Sequence, residues 1–507
     1  MQAVAQQPRV LDRRWTAAVA VAVGLGGALF VVGVATATSP LKAMLAGMGL
    51  AVGVGMLASP SFALLMVAAV IPLERVGRFT GDFDAQVISL SRISGLIALG
   101  ALLLHGAIRR WKLRFGVAFW MYAAYAALGA LSVAYAESPR DAARDEMRIL
   151  GNLLFLFLVI NLVREFRLAK AAILIWLAVN TAAGIYSIYG YHFGAEAIEE
   201  SEVGLTDQRD KTVMTDGSDF RGIGQVVKRA IGTTSHPTLF GLNLVLSLPF
   251  YGWMIRNAAW RGRLFGLLGV LVSCYGVIIC NTRALLLLGA GVLLYTLMRG
   301  LWALTPRTIL AVIVGGALLV PFVPEHVWMR ALDPSMYTAK NSDSIRIRFK
   351  YWEKSWEIFQ DHWWYGIGVG NQTAIVKAVT DEEAGRDTSD GKKASAHNEY
   401  LQTLVEVGLF GWLLQFGFVA LVIYYSFRAA TLFRPFRETQ EHYWLMVACQ
   451  AALISVAVFA IQVDALHFGI KGWWLAAGLA CGMMRLALER VQQERQGVWQ
   501  AAENKLA

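Results

Sequence analysis

Three arginines and one histidine, far apart in the sequence, stand beside long apolar runs where charged groups are uncommon. Arg229 precedes the run that begins at Pro237, and Arg283 lies where two apolar runs meet with almost no loop between them. Arg348 heads an amphipathic stretch, and His397 stands where a long polar segment runs back into an apolar one. An ionisable residue in such a place is a candidate functional residue. The alternatives are that each arginine anchors its helix at the membrane surface and that the histidine only heads a hydrophobic helix.

These residue types suit the cleavage of a bond between a sugar and a pyrophosphate. Arginine stays charged and binds phosphate oxygens through two parallel donors, and fixed donors can stabilise a leaving pyrophosphate without a metal ion. Histidine has a pKa near neutrality, so His397 could take the proton from an attacking hydroxyl. The pattern therefore predicts a site for a lipid-linked pyrophosphate, with Arg229, Arg283 and His397 as its catalytic residues.

Metal or cofactor dependence is not expected from the sequence. No pair of acidic residues stands at the outer end of an apolar run in the manner of a metal-dependent glycosyltransferase. The run 362–366 superficially resembles the signature of asparagine-linked oligosaccharyltransferases but lacks the aspartate which that signature needs. The four cysteines all lie inside apolar runs without metal-ligand spacing, so we expect packing thiols.

The helices that would position these charged residues are predicted from hydropathy. The chain has 507 residues, of which 56% are hydrophobic and 16% charged, and this excludes an ordinary soluble protein. Apolar runs of about 18 to 25 residues are the length that crosses a bilayer as a helix. The sequence predicts an all-α polytopic integral membrane protein with about 12 and up to 14 transmembrane helices. The predicted spans are 14–36, 41–58, 61–73, 87–108, 115–136, 146–163, 169–191, 237–255, 264–281, 284–300, 307–323, 398–427, 442–463 and 468–488.

The connections between these spans alternate in charge. One set is short and basic, which is typical of cytoplasmic loops, and the other set is longer and mixed or acidic. The basic residues behind the net charge of +10 therefore set the orientation of the spans in the membrane, and no nucleic-acid partner is expected. Both termini are predicted to be cytoplasmic, and the C-terminal one forms a tail at 489–507. Two long outer loops are predicted: one at 192–236, inside the transmembrane region 1–323, and a larger one at 324–396.

The apolar residues of the larger outer loop recur at helical spacing between Arg346 and Phe359. This predicts an amphipathic helix on the outer membrane surface. The next segment, 397–488, is predicted to hold the C-terminal spans, and its first helix would place His397, Leu401 and Gly408 on one face. Glu406 falls on roughly the opposite face and is interpreted as a structural partner of a buried group.

The chain resembles the O-antigen ligase and polymerase superfamily over roughly residues 225 to 425. Four pieces carry the resemblance: Arg229 to Gly232 with His236-Pro237; Thr282-Arg283-Ala284; Arg348 to Trp352 with Asp361 and 366–370; and His397-Asn398 to Leu401 with 406–408. Two positions depart from the family pattern, since Thr238 stands where many relatives have Asn and Ala284 where Gly is frequent.

The resemblance implies a fold similar to the C-type glycosyltransferases, with about twelve spans and a large periplasmic loop. It also implies transfer of O-antigen polysaccharide from undecaprenyl pyrophosphate to lipid A-core, at the periplasmic face of the bacterial inner membrane. The family's charged residues carry over onto Arg229, Arg283, Arg348 and His397. Arg348, with His236, Asn398 and Arg346, forms the expected substrate-binding set.

Other functions remain open at this point. An O-antigen polymerase or a protein O-glycosyltransferase of the same superfamily would share the donor chemistry and differ in the acceptor. A transporter of the lipid-linked sugar would need ionisable groups near the bilayer midplane and repeated half-domains, whereas here the ionisable residues cluster at one end and no repeat is visible. A purely structural scaffold would have no use for outward-facing arginines.

Overall fold

The structure is a computed structural model. It describes residues 40–74, 89–194, 198–199, 211, 213–216, 227–302, 341–372 and 397–506 except 464–469, with isolated positions between 310 and 376. The predicted span at 14–36 lies outside these residues, and the one at 307–323 lies almost entirely outside them.

Helices make up most of the described chain. In order they are α1 (Pro40–Ala58), α2 (Pro60–Ala69), α3 (Leu90–Ile108), α4 (Val117–Ser132), α5 (Pro139–Leu162), α6 (Phe166–Phe193), α7 (Pro237–Asn257), α8 (Trp260–Ile279), α9 (Arg283–Met298), α10 (Asn341–Asp361), α11 (Glu399–Phe433), α12 (Gln440–Phe459) and α13 (Lys471–Leu506).

Six helices in the described ranges are long and apolar enough to cross a membrane: α3, α6, α7, α8, α11, and α12 with the short 3₁₀ turn before it. Shorter apolar helices accompany them at Gly47–Ala58, Pro60–Ala69, Val117–Ser132 and Arg283–Met298. This agrees with the predicted polytopic membrane protein, and the total number of spans stays a prediction. The last helix continues to Leu506, through the segment predicted to be a tail.

The fold is mostly helical rather than entirely so. Three short strands form one small sheet in the loop that follows α6: β1 (Ile198–Glu199), β2 (Val213–Asp216) and β3 (Val227–Ala230). β2 pairs with β1 in parallel and with β3 antiparallel. Strands of two to four residues leave little periodicity in the sequence, so they were not predicted.

The basic connections gather at one end of the helix bundle. Arg164 stacks over Trp111 with its guanidinium 3.5 Å from the ring centre, which joins two of them. Lys170 pairs with Glu441 at 2.7 Å, and Arg485 Nη1 donates to the Ile160 carbonyl at 3.1 Å. Connections that are separate in the sequence therefore share one surface, as the alternation of loop charge predicts.

A break in α11 shapes the opposite end of the bundle. Gly408 has φ 69° and ψ −173°, which ends the regular helix and restarts it at the next residue. The chain that follows α10 fills this break, since Ile367 N–H donates to the Val405 carbonyl and Leu409 N–H donates to the Trp363 carbonyl, both at 2.9 Å. Backbone groups freed by the break are thereby satisfied, as they must be in an apolar surrounding.

Glycines are required at this crossing. A Cβ atom on Gly408 would lie 2.4 Å from the Trp364 carbonyl oxygen, and one on Gly366 would lie 2.4 Å from the Glu406 carbonyl oxygen. Both glycines also have positive φ angles, which other residues rarely adopt. The two segments can approach this closely only because neither glycine has a side chain.

Candidate active site

Arg229 reaches from the small sheet to the junction between α8 and α9. It lies on β3, its Nη2 donates to Thr282 Oγ1 at 3.1 Å, and its Nε donates to the Cys280 carbonyl at 3.4 Å. Thr282 is the N-cap residue of α9, and Arg283 is the first residue of that helix. The predicted arginines Arg229 and Arg283, separated by more than fifty residues in the sequence, therefore meet at one helix junction.

The start of α7 packs against the same junction. The Cys280 thiol donates to the Pro237 carbonyl at 3.1 Å, and a Cβ atom on Gly241 would lie 2.5 Å from Cys280 Sγ. His236 is the N-cap of α7, and its Nδ1 accepts from the Thr238 amide at 3.1 Å. The structure thus gives His236 a capping contact beside the arginine pair, and its substrate-binding role stays a prediction.

Asn281 fixes the turn between α8 and α9. Its φ of 51° places it in the left-handed region, where Asn is one of the better-tolerated residues. This conformation turns the chain within a few residues, from the end of α8 at Ile279 to the start of α9 at Arg283. The tight turn explains why the sequence shows almost no loop here, and it holds Arg283 at the end of the bundle.

His397 does not lie on a helix face, so that prediction is wrong. Helix α11 begins at Glu399, and Asn398 is its N-cap, accepting the Leu401 amide on Oδ1 at 3.1 Å. His397 precedes the cap with a left-handed φ of 51°. The reason is local: Asn caps a helix well because its side chain replaces a missing backbone acceptor, so the helix starts after it. Asn398 therefore positions His397, and its predicted contact with substrate stays untested.

Arg348 lies close enough to His397 to affect its ionisation. Burial, and secondly the positive charge of Arg348, lower the pKa of His397 to about 4. The imidazole is therefore neutral at neutral pH, the form that accepts a proton. Arg348 stands on α10, two residues after Arg346, which the helix also includes but whose side chain lies outside the described part.

The crossing at Gly408 connects the chain after α10, the helix of Arg348, with α11, which begins just after His397. The chain leaves α10 at Asp361, and Gly368 N–H donates to the Glu406 carbonyl at 2.9 Å. Glu406 is fully buried and accepts from Gln402 Nε2 at 3.1 Å, which agrees with its interpretation as a structural residue.

Arg229 and Arg283 lie at the same end of the bundle as His397 and Arg348. Glu399 N–H donates to the carbonyl of Ala460, the residue after α12. Phe459, the last residue of α12, lines one cavity together with Ala284, the residue after Arg283. A series of contacts thus leads from the start of α9 across the end of α12 to the start of α11.

A comparison with known families matches part of the chain. Residues 268–416 match the family model described as O-antigen ligase. The match covers less than a third of the chain. The matched segment includes Arg283, Arg348 and His397, while Arg229 and His236 precede it. No curated protein matches the chain.

The resemblance inferred from the sequence is thereby confirmed. The match supports a membrane glycosyltransferase-like enzyme. Within the described ranges, no group of three or more His, Cys, Asp or Glu side chains is placed to hold a metal ion, and the metal independence of the reaction stays a prediction.

A polar group beside this candidate site was not predicted from the sequence. Ser235 Oγ donates to Glu74 Oε1 at 3.2 Å, and Thr233 Oγ1 donates to the Pro72 carbonyl at 2.5 Å. Lys471, at the start of α13, contacts the Ser91 hydroxyl. The first two contacts tie the segment before α7 to the chain that follows α2, and the third joins α13 to α3. Only the polar run 233–235 before His236 could have indicated them.

Proposed function

We propose that the chain is an O-antigen ligase, a glycosyltransferase that moves O-antigen polysaccharide from undecaprenyl pyrophosphate to lipid A-core. The site would face the periplasm in the bacterial inner membrane, with both termini in the cytoplasm, and would work without a metal ion. The main support is the meeting of Arg229 with the Thr282-Arg283 junction, at the end of the bundle that holds Arg348 and His397. The basic connections gather at the other end, as expected for a cytoplasmic surface.

In this reaction a hydroxyl of the acceptor attacks the anomeric carbon of the first sugar of the donor. A glycosidic bond forms at that carbon while its bond to the pyrophosphate oxygen breaks. Undecaprenyl pyrophosphate leaves with the bonding electrons. Arg229 and Arg283 bind the pyrophosphate, and their fixed charges offset the negative charge that develops on it.

The hydroxyl proton passes to the imidazole of His397 and then to water. Burial and Arg348 lower the pKa of His397 to about 4, so the ring is uncharged before the reaction. The same shift makes the ring a weaker base, so proton transfer needs help from charge that develops during the reaction. The imidazolium that forms is unfavourable beside Arg348. The negative charge growing on the leaving pyrophosphate offsets that cost as the step proceeds.

Arg348 then has two roles: it holds an anionic part of the donor or acceptor, and it keeps His397 neutral. The remaining members of the proposed substrate-binding set are Arg346, Asn398 and His236. Asn398 uses Oδ1 in the helix cap, which leaves its amide nitrogen to donate to a sugar hydroxyl.

The test is transfer by purified protein in lipid nanodiscs, with undecaprenyl pyrophosphate-linked O-antigen, lipid A-core and a metal chelator. We expect the glycan to appear on the core, and we expect His397→Ala, Arg229→Ala and Arg283→Ala to abolish this. Arg261→Ala is the matched control, because Arg261 is exposed and stacks on Trp260 at the basic end.

Each result of this assay has a separate meaning. Elongation of the lipid-linked glycan without transfer to the core would replace the ligase with a polymerase. Transfer at the wild-type rate by His397→Ala would exclude the proposed base. Absence of any glycan transfer by the folded wild-type protein would overturn the proposed function.

A further inference from the structure

Two arginines meet at one tryptophan at the basic end of the bundle. Trp111 lies in the connection between α3 and α4, and its amide donates to the Gly106 carbonyl at 2.8 Å, which folds the connection back against α3. The guanidinium carbon of Arg164 lies 3.5 Å from its ring centre, and that of Arg109 lies 5.6 Å from it. Because a guanidinium is attracted to an indole ring, Trp111 brings two positive charges close together.

Two further arginines reach the same place along the end of α5. The Arg114 amide donates to Asn161 Oδ1 at 2.7 Å, and Asn161 Nδ2 donates back to the Arg114 carbonyl at 3.1 Å. Arg485 of α13 donates to the carbonyl of Ile160, the residue before Asn161. The last turn of α5 and the residue pair after it therefore hold together what we call the arginine cluster: Arg109, Arg114, Arg164 and Arg485.

The arginine cluster carries more positive than negative charge. In the part of the chain that the structure describes, Glu489 is the one carboxylate that pairs with it, at 3.0 Å from Arg114 Nη1 and 3.6 Å from Arg485 Nε. Arg114 and Glu489 are both about half exposed, so the cluster is open to the surroundings. Four guanidiniums that share one carboxylate repel one another, and a bound anion offsets this repulsion.

The ionisation of Arg164 shows the effect of its neighbours. Its pKa lies below the ordinary value, first because of burial and then because of the positive charges of Arg114 and Arg109. The three charges are thus close enough to act on one another across different segments of the chain.

Exposed apolar side chains begin directly beside the arginine cluster. Phe115 follows Arg114 and is 45% exposed, and Trp120 in the first turn of α4 is 60% exposed. Phe115 stacks on Phe157 of α5 with ring centres 5.6 Å apart, and Ile108 at the end of α3 is also exposed. Aromatic residues next to basic ones are typical of the membrane surface. A molecule bound by the arginines therefore meets apolar surface on one side.

We propose that the arginine cluster binds the phosphate of an anionic phospholipid. Guanidinium groups match phosphate oxygens with paired donors, and the neighbouring apolar surface receives the acyl chains, which a soluble phosphate compound lacks. With this end in the cytoplasm, as proposed above, the lipid belongs to the cytoplasmic leaflet, where anionic lipids attract basic segments. Binding there is independent of glycosyl transfer, because the candidate active site lies at the opposite end of the bundle.

Native mass spectrometry of the full chain, released from detergent micelles, measures this binding. The protein is titrated with phosphatidylglycerol or with phosphatidylcholine of the same acyl chains. We expect phosphatidylglycerol to bind at least about tenfold more tightly, since a surface arginine contributes about fivefold to the binding of an anionic lipid.

Two substitutions in the cluster should act in opposite directions. Arg109→Gln should weaken phosphatidylglycerol binding about fivefold, and little packing is lost because the Arg109 guanidinium lies 5.6 Å from the centre of the Trp111 ring. Glu489→Gln should tighten binding severalfold, because it frees Arg114 from its carboxylate. Arg261→Gln is the matched control, since Arg261 is an exposed arginine beside a tryptophan at the same end, and it should bind like wild type.

The results separate a lipid site from its alternatives. If Glu489→Gln weakens binding or leaves it unchanged, the cluster is only a structural ion pair and the proposal is wrong. If Arg261→Gln loses as much affinity as Arg109→Gln, general surface charge replaces the proposed site. If glycerol 1-phosphate displaces phosphatidylglycerol at equal concentration, the ligand is a soluble phosphate compound and the lipid is excluded. Equal affinity for phosphatidylcholine and phosphatidylglycerol would also overturn the proposal.

Discussion

Arg229 donates a hydrogen bond from Nη2 to Oγ1 of Thr282 at 3.1 Å, although the two residues lie more than fifty positions apart in the sequence. One hydroxyl thus holds a guanidinium from a β-strand against the first turn of a membrane helix. Because Arg283 is the next residue, this contact sets the spacing between the two arginines that would bind pyrophosphate.

Removal of the Thr282 hydroxyl should therefore weaken catalysis without abolishing it. A hydrogen bond of this kind contributes about 0.5–1.5 kcal/mol, so we expect Thr282→Ala to lower kcat/KM by about twofold to tenfold. Thr282→Ser keeps the oxygen and should retain near wild-type activity. Steady-state transfer assays at equal protein concentration measure this, and equal activity of the two variants would contradict the positioning role.

Arg283→Lys should be far more damaging than its retained charge suggests. Lysine keeps the positive charge but loses the planar, two-donor geometry that matches phosphate oxygens. We expect a loss of about 10²-fold in kcat. Arg261→Lys, at the basic end of the bundle, is the control and should transfer glycan normally. Wild-type kcat in Arg283→Lys would show that Arg283 acts only as a membrane anchor.

The pH dependence of transfer should report the Arg348–His397 pair. The base must be neutral, and the pKa of His397 is about 4, so activity should persist from neutral pH downward and fall only near that value. Arg348→Gln removes a neighbouring positive charge, so the pKa should rise, but it should stay below the ordinary value of about 6.5 because burial, the larger cause of the shift, remains. The acid limb of the kcat/KM profile should then move to higher pH, while in Arg348→Lys it should stay low.

The pH dependence of protein stability is the control for the pH dependence of kcat/KM. A folded-state pKa below the unfolded value means that the unfolded chain binds more protons as the pH falls. The contribution of neutral His397 to stability is therefore complete above about pH 6.5 and is lost as the pH falls through about 4. Thermal unfolding of wild type and His397→Gln across this range identifies the pH window in which activity loss reflects catalysis. An acid limb unmoved in Arg348→Gln would remove Arg348 from this role.

Much of the fold could be predicted because a helix that spans a membrane is recognised from a single run of apolar residues. The helix α7 lies at Pro237–Asn257 where the sequence predicted 237–255, and its start follows from Pro237 and the cap before it. The break at Gly408 could not be predicted, because a single glycine in an apolar run also fits a continuous helix. The partner segment 363–368 that fills it is distant in the sequence.

The site could be predicted only in part, for a similar reason. Charge in an apolar surrounding identified Arg283 and His397, whereas Thr282 and Asn281 have no unusual character in the sequence. Their importance comes from backbone geometry, such as the φ of 51° at Asn281. The placement of His397 outside α11 depends on whether His397 or Asn398 caps the helix, and periodicity alone cannot decide that.

Gly408→Ala should destabilise the protein strongly. The new methyl group would lie 2.4 Å from the Trp364 carbonyl oxygen, at a φ of 69°, and such backbone strain costs about 1–3 kcal/mol even without a clash. We expect a lower Tm in detergent and loss of transfer. Gly151→Ala, in open space on α5, should leave Tm unchanged or slightly raised. A wild-type Tm in Gly408→Ala would mean that the chain does not cross α11 at this point.

Asn398 allows capping and substrate binding to be separated by one pair of substitutions. Asn398→Ala should lower stability by about 1 kcal/mol, because the Leu401 amide loses its acceptor. Asn398→Ser restores the cap but not the amide donor, so Tm should recover while KM for the lipid-linked donor stays severalfold raised. Thermal unfolding and steady-state kinetics on the same preparations measure the two effects. If Asn398→Ser recovered both Tm and KM, Asn398 would act only by holding His397 in its left-handed conformation before the helix.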